Sequence, residues 1–181
     1  MRLISWKKVK SWKCLACGEC CKCFNIPLKS NEYTRMLKIF GCEIFNFNIT
    51  PVKIFLTRKE NGRCIFQHHT YGKWLCGIQQ IKPIVCKLFP FSITKSSNKK
   101  ALYIYKGKIY NIYLERSCKG IRLGKPSSEF IYKMIPQAIE ESLNPEKSHH
   151  ILTSKLILYP LNQFIYEVID VKKEPNLKSK K

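Results

Sequence analysis

Acidic side chains are what this chain lacks most. Asp170 is its only aspartate, and 12 Asp+Glu stand against 33 Lys+Arg, giving a formal net charge of +21. The shortage excludes an acidic surface, and the excess of cations is the electrostatic footprint of a polyanion binder. Part of it is compositional, because Lys and Ile are abundant throughout and Ala is scarce. Long apolar runs are missing too. Stretches such as Leu156 to Leu158 fall far short of the ~18 residues a membrane span requires, so no membrane partner is expected. Secretory character is equally absent: Met1-Arg-Leu-Ile-Ser-Trp-Lys-Lys reaches lysine before an apolar region forms, so a cytoplasmic location is expected. No acid–base or nucleophile–base pair stands out along the chain.

Cysteine, by contrast, is plentiful, with ten in 181 residues. Four fall in the run Cys14-Leu-Ala-Cys17-Gly-Glu-Cys20-Cys21. Thiolates at C-x2-C spacing turn back on one metal, because the two intervening residues form a tight turn. Gly18 suits that turn, since it takes positive φ without a steric cost. In a secreted chain an even count would suggest disulfides, whereas clustered cysteines without a secretory leader point to metal. Burial as small hydrophobes is the bland alternative, and two overlapping C-x2-C units with a vicinal partner fit it poorly.

Length and the 45% hydrophobic content predict one domain over 1–145, a packing segment over 146–171 and a basic disordered tail over 172–181. The fold class expected is α+β: a small cysteine-rich, metal-centred domain with two β-hairpins and several short helices. Residues 31–40 read as a helix, capped by Ser30, favoured by Glu32 in its first turn and ended by Gly41. Tyr33, Met36, Leu37 and Phe40 share one face at helical spacing. Val52–Thr57 and Arg63–Gln67 read as a hairpin turning at Asn61-Gly62, which would present Cys64 from a strand. His68 and His69 then fall in a loop before the Tyr71-Gly72 turn. Pro83 opens a short helix carrying Cys86, and Pro90 stops it. A second hairpin joins Leu102–Tyr105 to Ile109–Leu114, Cys118 to Gly124 reads as a loop, and a helix capped by Ser127 or Ser128 runs to about Leu143, disturbed by Pro136.

The ligand set is Cys14, Cys17, Cys20, Cys21, Cys64, Cys76, Cys86 and Cys118, enough for two four-coordinate sites. Vicinal Cys20 and Cys21 are expected to point apart, serving different sites or acting as one ligand and one support. Cys23 and Cys42 are surplus, and His68 and His69 are little needed. Zinc takes four thiolates in a closed tetrahedral site, which carries about −2 by formal charge. An iron–sulfur cluster of the 4Fe–4S type also takes four cysteines, and Cys14-x2-Cys17-x2-Cys20 matches the first three positions of a bacterial ferredoxin run. Phe24 occupies the fourth, so a simple ferredoxin is excluded; the same residue breaks the radical-SAM spacing.

The run Cys14-x2-Cys17-Gly-x-Cys20-Cys21, with Cys64, Cys76-x9-Cys86-Lys-Leu-Phe-Pro90-Phe91 and Cys118-x-Gly120-Ile121, resembles the YkgJ-type cysteine-cluster family, also called CxxCxxCC. The similarity spans roughly residues 12–124 and includes Ile26-Pro-Leu-Lys-Ser-x-Glu32. One departure is Lys82-Pro83, where the family usually has Arg-Pro; lysine would not reproduce a bidentate arginine contact. The resemblance implies a protein that binds zinc or an iron–sulfur cluster, in a structural or redox role. Larger relatives, the flagellin lysine methylases, join this pattern to methyl transfer, but this chain offers no glycine-rich S-adenosylmethionine loop. A metal-stabilised module that binds nucleic acid through its basic surface is the competing expectation.

Overall fold

The computed structural model describes residues 2–48, 53–95 and 99–145. In chain order its first half holds β1 (Leu3–Ser5), β2 (Val9–Trp12), α1 (Glu19–Cys23), α2 (Ser30–Phe40), β3 (Phe45–Asn48) and β4 (Lys53–Leu56). The second half holds β5 (Gln67–Thr70), β6 (Lys73–Cys76), α3 (Ile84–Leu88), β7 (Phe91–Thr94), β8 (Leu102–Tyr105), β9 (Lys108–Glu115), β10 (Ile121–Leu123) and α4 (Ile135–Leu143). This is the expected α+β class. The segment 146–171 and the tail 172–181 lie outside the described residues. No helix among the described residues is long and apolar enough to cross a membrane.

Two apolar cores organise the chain. The first lies on a four-stranded antiparallel sheet in which β9 pairs with β1, β7 and β8. Tyr110, Ile112 and Leu114 alternate along β9, and all three are buried against Phe91, Phe130, Ile135 and Ile139. The β8–β9 hairpin closes through Lys106 and Gly107, both at positive φ (48° and 71°), the two-residue turn whose twist matches its strands. Ser127 caps the final helical segment, its Oγ accepting the Phe130 N–H at 3.2 Å. Pro136 supplies no N–H, and its ring would strike the preceding turn. The helix answers with a widened turn over Phe130–Met134, in which the Ile135 N–H reaches Phe130 O.

The second core is built from α2, the β3–β4 ribbon and the loop around Phe66. Met36 and Phe66 are fully buried, and Tyr33, Leu37 and Phe40 pack beside them, so the helical face expected from spacing is the one used. The cap of α2 is displaced by one residue from expectation. Lys29 occupies the cap position, and Glu32 Oε2 accepts its N–H at 2.8 Å.

The first expected hairpin is corrected. β4 pairs with β3, which precedes it, in the register Phe45↔Leu56 to Asn48↔Lys53. Arg63 to Phe66 form turns, because Phe66 is drawn wholly into the core and the Cys64 N–H donates to Cys21 O at 3.0 Å. Asn61-Gly62 does turn, but it closes only a small loop: Lys59 N–H donates to Arg63 O at 2.8 Å, and Arg58 makes a single bridge with Cys64. The second member of that region is instead β5–β6, which takes His68 and His69 into a strand and turns at Tyr71-Gly72. Ile121–Leu123, expected as loop, pairs with β2.

Candidate metal centre

The cysteine run begins where β2 ends. Trp12 is anchored in the first core, Lys13 N–H donates to Gly120 O at 3.1 Å, and Cys14 follows. Ala16 (φ 50°) and Gly18 (φ 74°) both adopt left-handed backbone, which curls the chain, and the Ala16 N–H points at Cys14 Sγ, 3.5 Å away.

 
Trp74 N–H donates to Ala16 O at 2.8 Å, while Gly18 O accepts from Gln67 Nε2 at 3.1 Å and from Arg63 at 3.4 Å. The Arg63 guanidinium in turn lies over the Trp74 ring, 3.7 Å from its centroid. A Cβ at residue 18 would sit 2.6 Å from Gln67 Nε2 and from Trp74 Cβ and Cγ, so this close approach admits only glycine. Gly18 then starts α1, with the Cys21 N–H donating to its carbonyl at 3.1 Å.

The eight expected cysteines fall into two groups. Cys14, Cys17 and Cys118 are electrostatic neighbours, and Cys14 and Cys118 pack against the first core. The Trp12 indole N–H donates to Cys118 Sγ at 3.4 Å. Burial pushes the Cys118 thiol up, and the Gly120 N–H and this indole N–H oppose the push by favouring the thiolate. The second group is Cys20, Cys21, Cys76 and Cys86, gathered around Lys82, with Cys64 beside Cys76 and Cys86. Cys21, Cys64, Cys76 and Cys86 belong to the second core. α3 contributes Cys86, whose N–H donates to Pro83 O at 2.9 Å, as the sequence suggested.

Cys20 and Cys21 do not diverge. Their sulfurs lie 3.7 Å apart, because both ride one short turn of helix rather than the alternating faces of a strand. The hydrogen bond they share, followed by burial, holds the Cys20 thiol far above its usual range. Burial pushes Cys64 up to about 12 and Cys86 well above the ordinary value of 9.0. Lys82 is only 5% exposed, and its Nζ donates to Gln79 Oε1 at 3.3 Å. Burial alone would lower its pKa, but negative charge on Cys76, Cys86, Cys21 and Cys20 would outweigh that effect and raise it.

Among the described residues, no group of three or more His, Cys, Asp or Glu side chains is placed so that it could hold a metal ion. The thiols are neighbours within each group without converging on one point. Their surroundings nonetheless suit a thiolate centre. The donors are soft sulfurs, indole and backbone N–H groups are directed at Cys118 and Cys14, and a buried ammonium needs anionic compensation that neutral thiols do not give. Four thiolates around a divalent ion would provide about −2. Cys42 is exposed, and the Cys23 side chain lies outside the described residues. His68 and His69 lie on β5, with the His69 ring packed 4.8 Å from Trp74.

Two further residues complete the picture. Trp12 as a sulfur partner had no motif to mark it. Glu32 stands in the first turn of α2, as expected, and its Oε1 also accepts the Ile84 N–H at 2.6 Å, so one buried carboxylate ties together the starts of α2 and α3.

Residues 13–119 match the family model CxxCxxCC, described as "Putative zinc- or iron-chelating domain". An uncharacterized protein of Methanocaldococcus jannaschii is 26% identical over 142 residues, covering 72% of this chain and 74% of its own length. No solved structure matches the chain.

Proposed function

The chain belongs to the CxxCxxCC family of zinc- or iron-chelating domains, and from that premise we propose that its cysteines form two thiolate metal centres with a structural role. One would use Cys14, Cys17 and Cys118, and the other would draw on Cys20, Cys21, Cys64, Cys76 and Cys86. The observation that carries this reading is the gathering of thiols from residues 14 to 118 into two groups, one beside each apolar core. The metal would supply cross-links between segments that are otherwise joined by two-stranded ribbons and short helices. The chain's own residues supply deprotonatable sulfurs, N–H donors to two of them, and the Lys82 ammonium beside the second group.

Zinc is the first reading for the second group. Two thiolates on one tetrahedral ion, at bonds of about 2.3 Å, stand roughly 3.8 Å apart, and the Cys20 and Cys21 sulfurs are 3.7 Å apart. In a cluster held by four cysteines the thiolates are spread over separate irons. The experiment is metal analysis of protein purified without oxygen, with Cys118→Ser and Cys64→Ser/Cys86→Ser variants. Each variant is expected to lose one centre's metal and retain the other's. Metal content unchanged in both, or absent from the parent protein, refutes the reading. Brown protein that bleaches in air would replace zinc by an iron–sulfur cluster.

A further inference from the structure

Beside the second thiol group, between the starts of α2 and α3, lies a cleft of about 40 Å³. Its lining includes four basic residues: Lys29, which is exposed, and Arg35, Lys82 and Lys87. Lys82 and Lys87 are buried at 5% and 7% exposure. The lining carboxylate, Glu32, has one oxygen engaged by the Lys29 N–H and the other by the Ile84 N–H. Lys87 donates to Pro145 O at 2.8 Å and pairs with Glu141 at 3.7 Å. Arg35 has no carboxylate within ion-pair distance among the described residues. One of its terminal nitrogens reaches Ile81 O at 3.4 Å, and its Nε is buried without an acceptor.

A guanidinium presents Nε–H and a neighbouring terminal N–H as a fork that matches two oxygens of an oxyanion. A buried N–H left without an acceptor is costly, so an acceptor seated in this cation-lined cleft would give the Arg35 Nε–H the partner it lacks among the described residues. One water needs about 10–15 Å³ of such space. The cleft therefore admits a small polyatomic anion and excludes anything the size of a nucleotide. We propose that this cleft binds a phosphate-type oxyanion, gripped by the Arg35 fork within the positive potential of Lys82 and Lys87. The anion would be free phosphate or the terminal phosphoryl group of a larger molecule whose body stays outside. The site stands on its own geometry and does not depend on which metal the thiols hold.

The test is calorimetric titration of the full, metal-loaded chain with inorganic phosphate and with glycerol phosphate, at constant ionic strength set by chloride. Saturable binding of phosphate is expected, weakened about tenfold or more in Arg35→Gln. Metal content should stay unchanged, which separates this result from any failure of the metal centres. Arg35→Lys, which keeps the charge and loses the fork, should also bind more weakly; it decides the matter if the glutamine variant does not fold. Tighter binding of the ester identifies a terminal phosphoryl group, and equal or weaker binding identifies the free anion. No saturable binding by the parent protein, or binding unaltered in both Arg35 variants, overturns the proposal.

Discussion

Replacing Gly18 by alanine tests how the cysteine run is seated. At φ 74° an alanine Cβ meets its own carbonyl, at a cost of about 1–2 kcal/mol. The same Cβ would lie 2.6 Å from Gln67 Nε2 and Trp74 Cβ and Cγ. Trp74 is fixed by its N–H bond to Ala16 O, and Gln67 by its bond to Gly18 O, so neither retreats freely. Overpacking of this kind costs typically about 1–3 kcal/mol. Together the effects sum to about 2–5 kcal/mol, a fall in Tm of roughly 4–20 °C for a domain of this size. Gly62→Ala is the control: its φ is 76°, but nothing lies within 4 Å of the added Cβ. That variant should carry the backbone cost alone, a fall of roughly 2–8 °C. Thermal melts of metal-loaded protein compare the two. Equal shifts would refute the close packing of the turn against Trp74, and with it the account of how Cys17 and Cys20 are directed to different groups.

Glu32→Gln leaves the helix starts of α2 and α3 competing for one carbonyl oxygen and turns an amide N–H₂ toward a backbone donor. The loss is expected at about 2–3 kcal/mol, seen as a fall in Tm of roughly 4–12 °C, whereas Glu129→Gln, on an exposed ion pair, should hardly register. Loading with zinc at pH 7 should release about one proton per recruited thiol. The sign follows from the raised pKa values of Cys20, Cys64, Cys86 and Cys118, which keep these groups protonated in the metal-free protein. Affinity should therefore rise with pH from 6 through 9, read with a competing chelator; a flat profile would show that these thiols are not recruited.

Much of the architecture was legible because it is local. The α2 face, the Pro83–Pro90 helix and the β8–β9 hairpin are each written in residues close together in sequence. Partner choice was not. The alternation of Lys53–Leu56 marks a strand, but its pairing with Phe45–Asn48 rather than the following segment depends on Phe66 being drawn into the core. Spacing likewise nominated the thiols without dividing them. The division depends on left-handed backbone at Ala16 and Gly18, which redirects the chain between Cys17 and Cys20. Arg35 looks like one more cation in a basic chain until its buried Nε distinguishes it, and Lys82, marked in the sequence only by the Arg-Pro pattern it departs from, is distinguished by burial.

The two thiol groups also differ in when a growing chain can complete them. Everything in the second group has been synthesised once Cys86 emerges, while the first must wait for Cys118. The half containing α2 can therefore be sealed while β9, the central strand of the other half, is still being made. Vectorial synthesis would thus let the second group assemble first, with Cys14 and Cys17 waiting for Cys118 and for the pairing of β10 with β2.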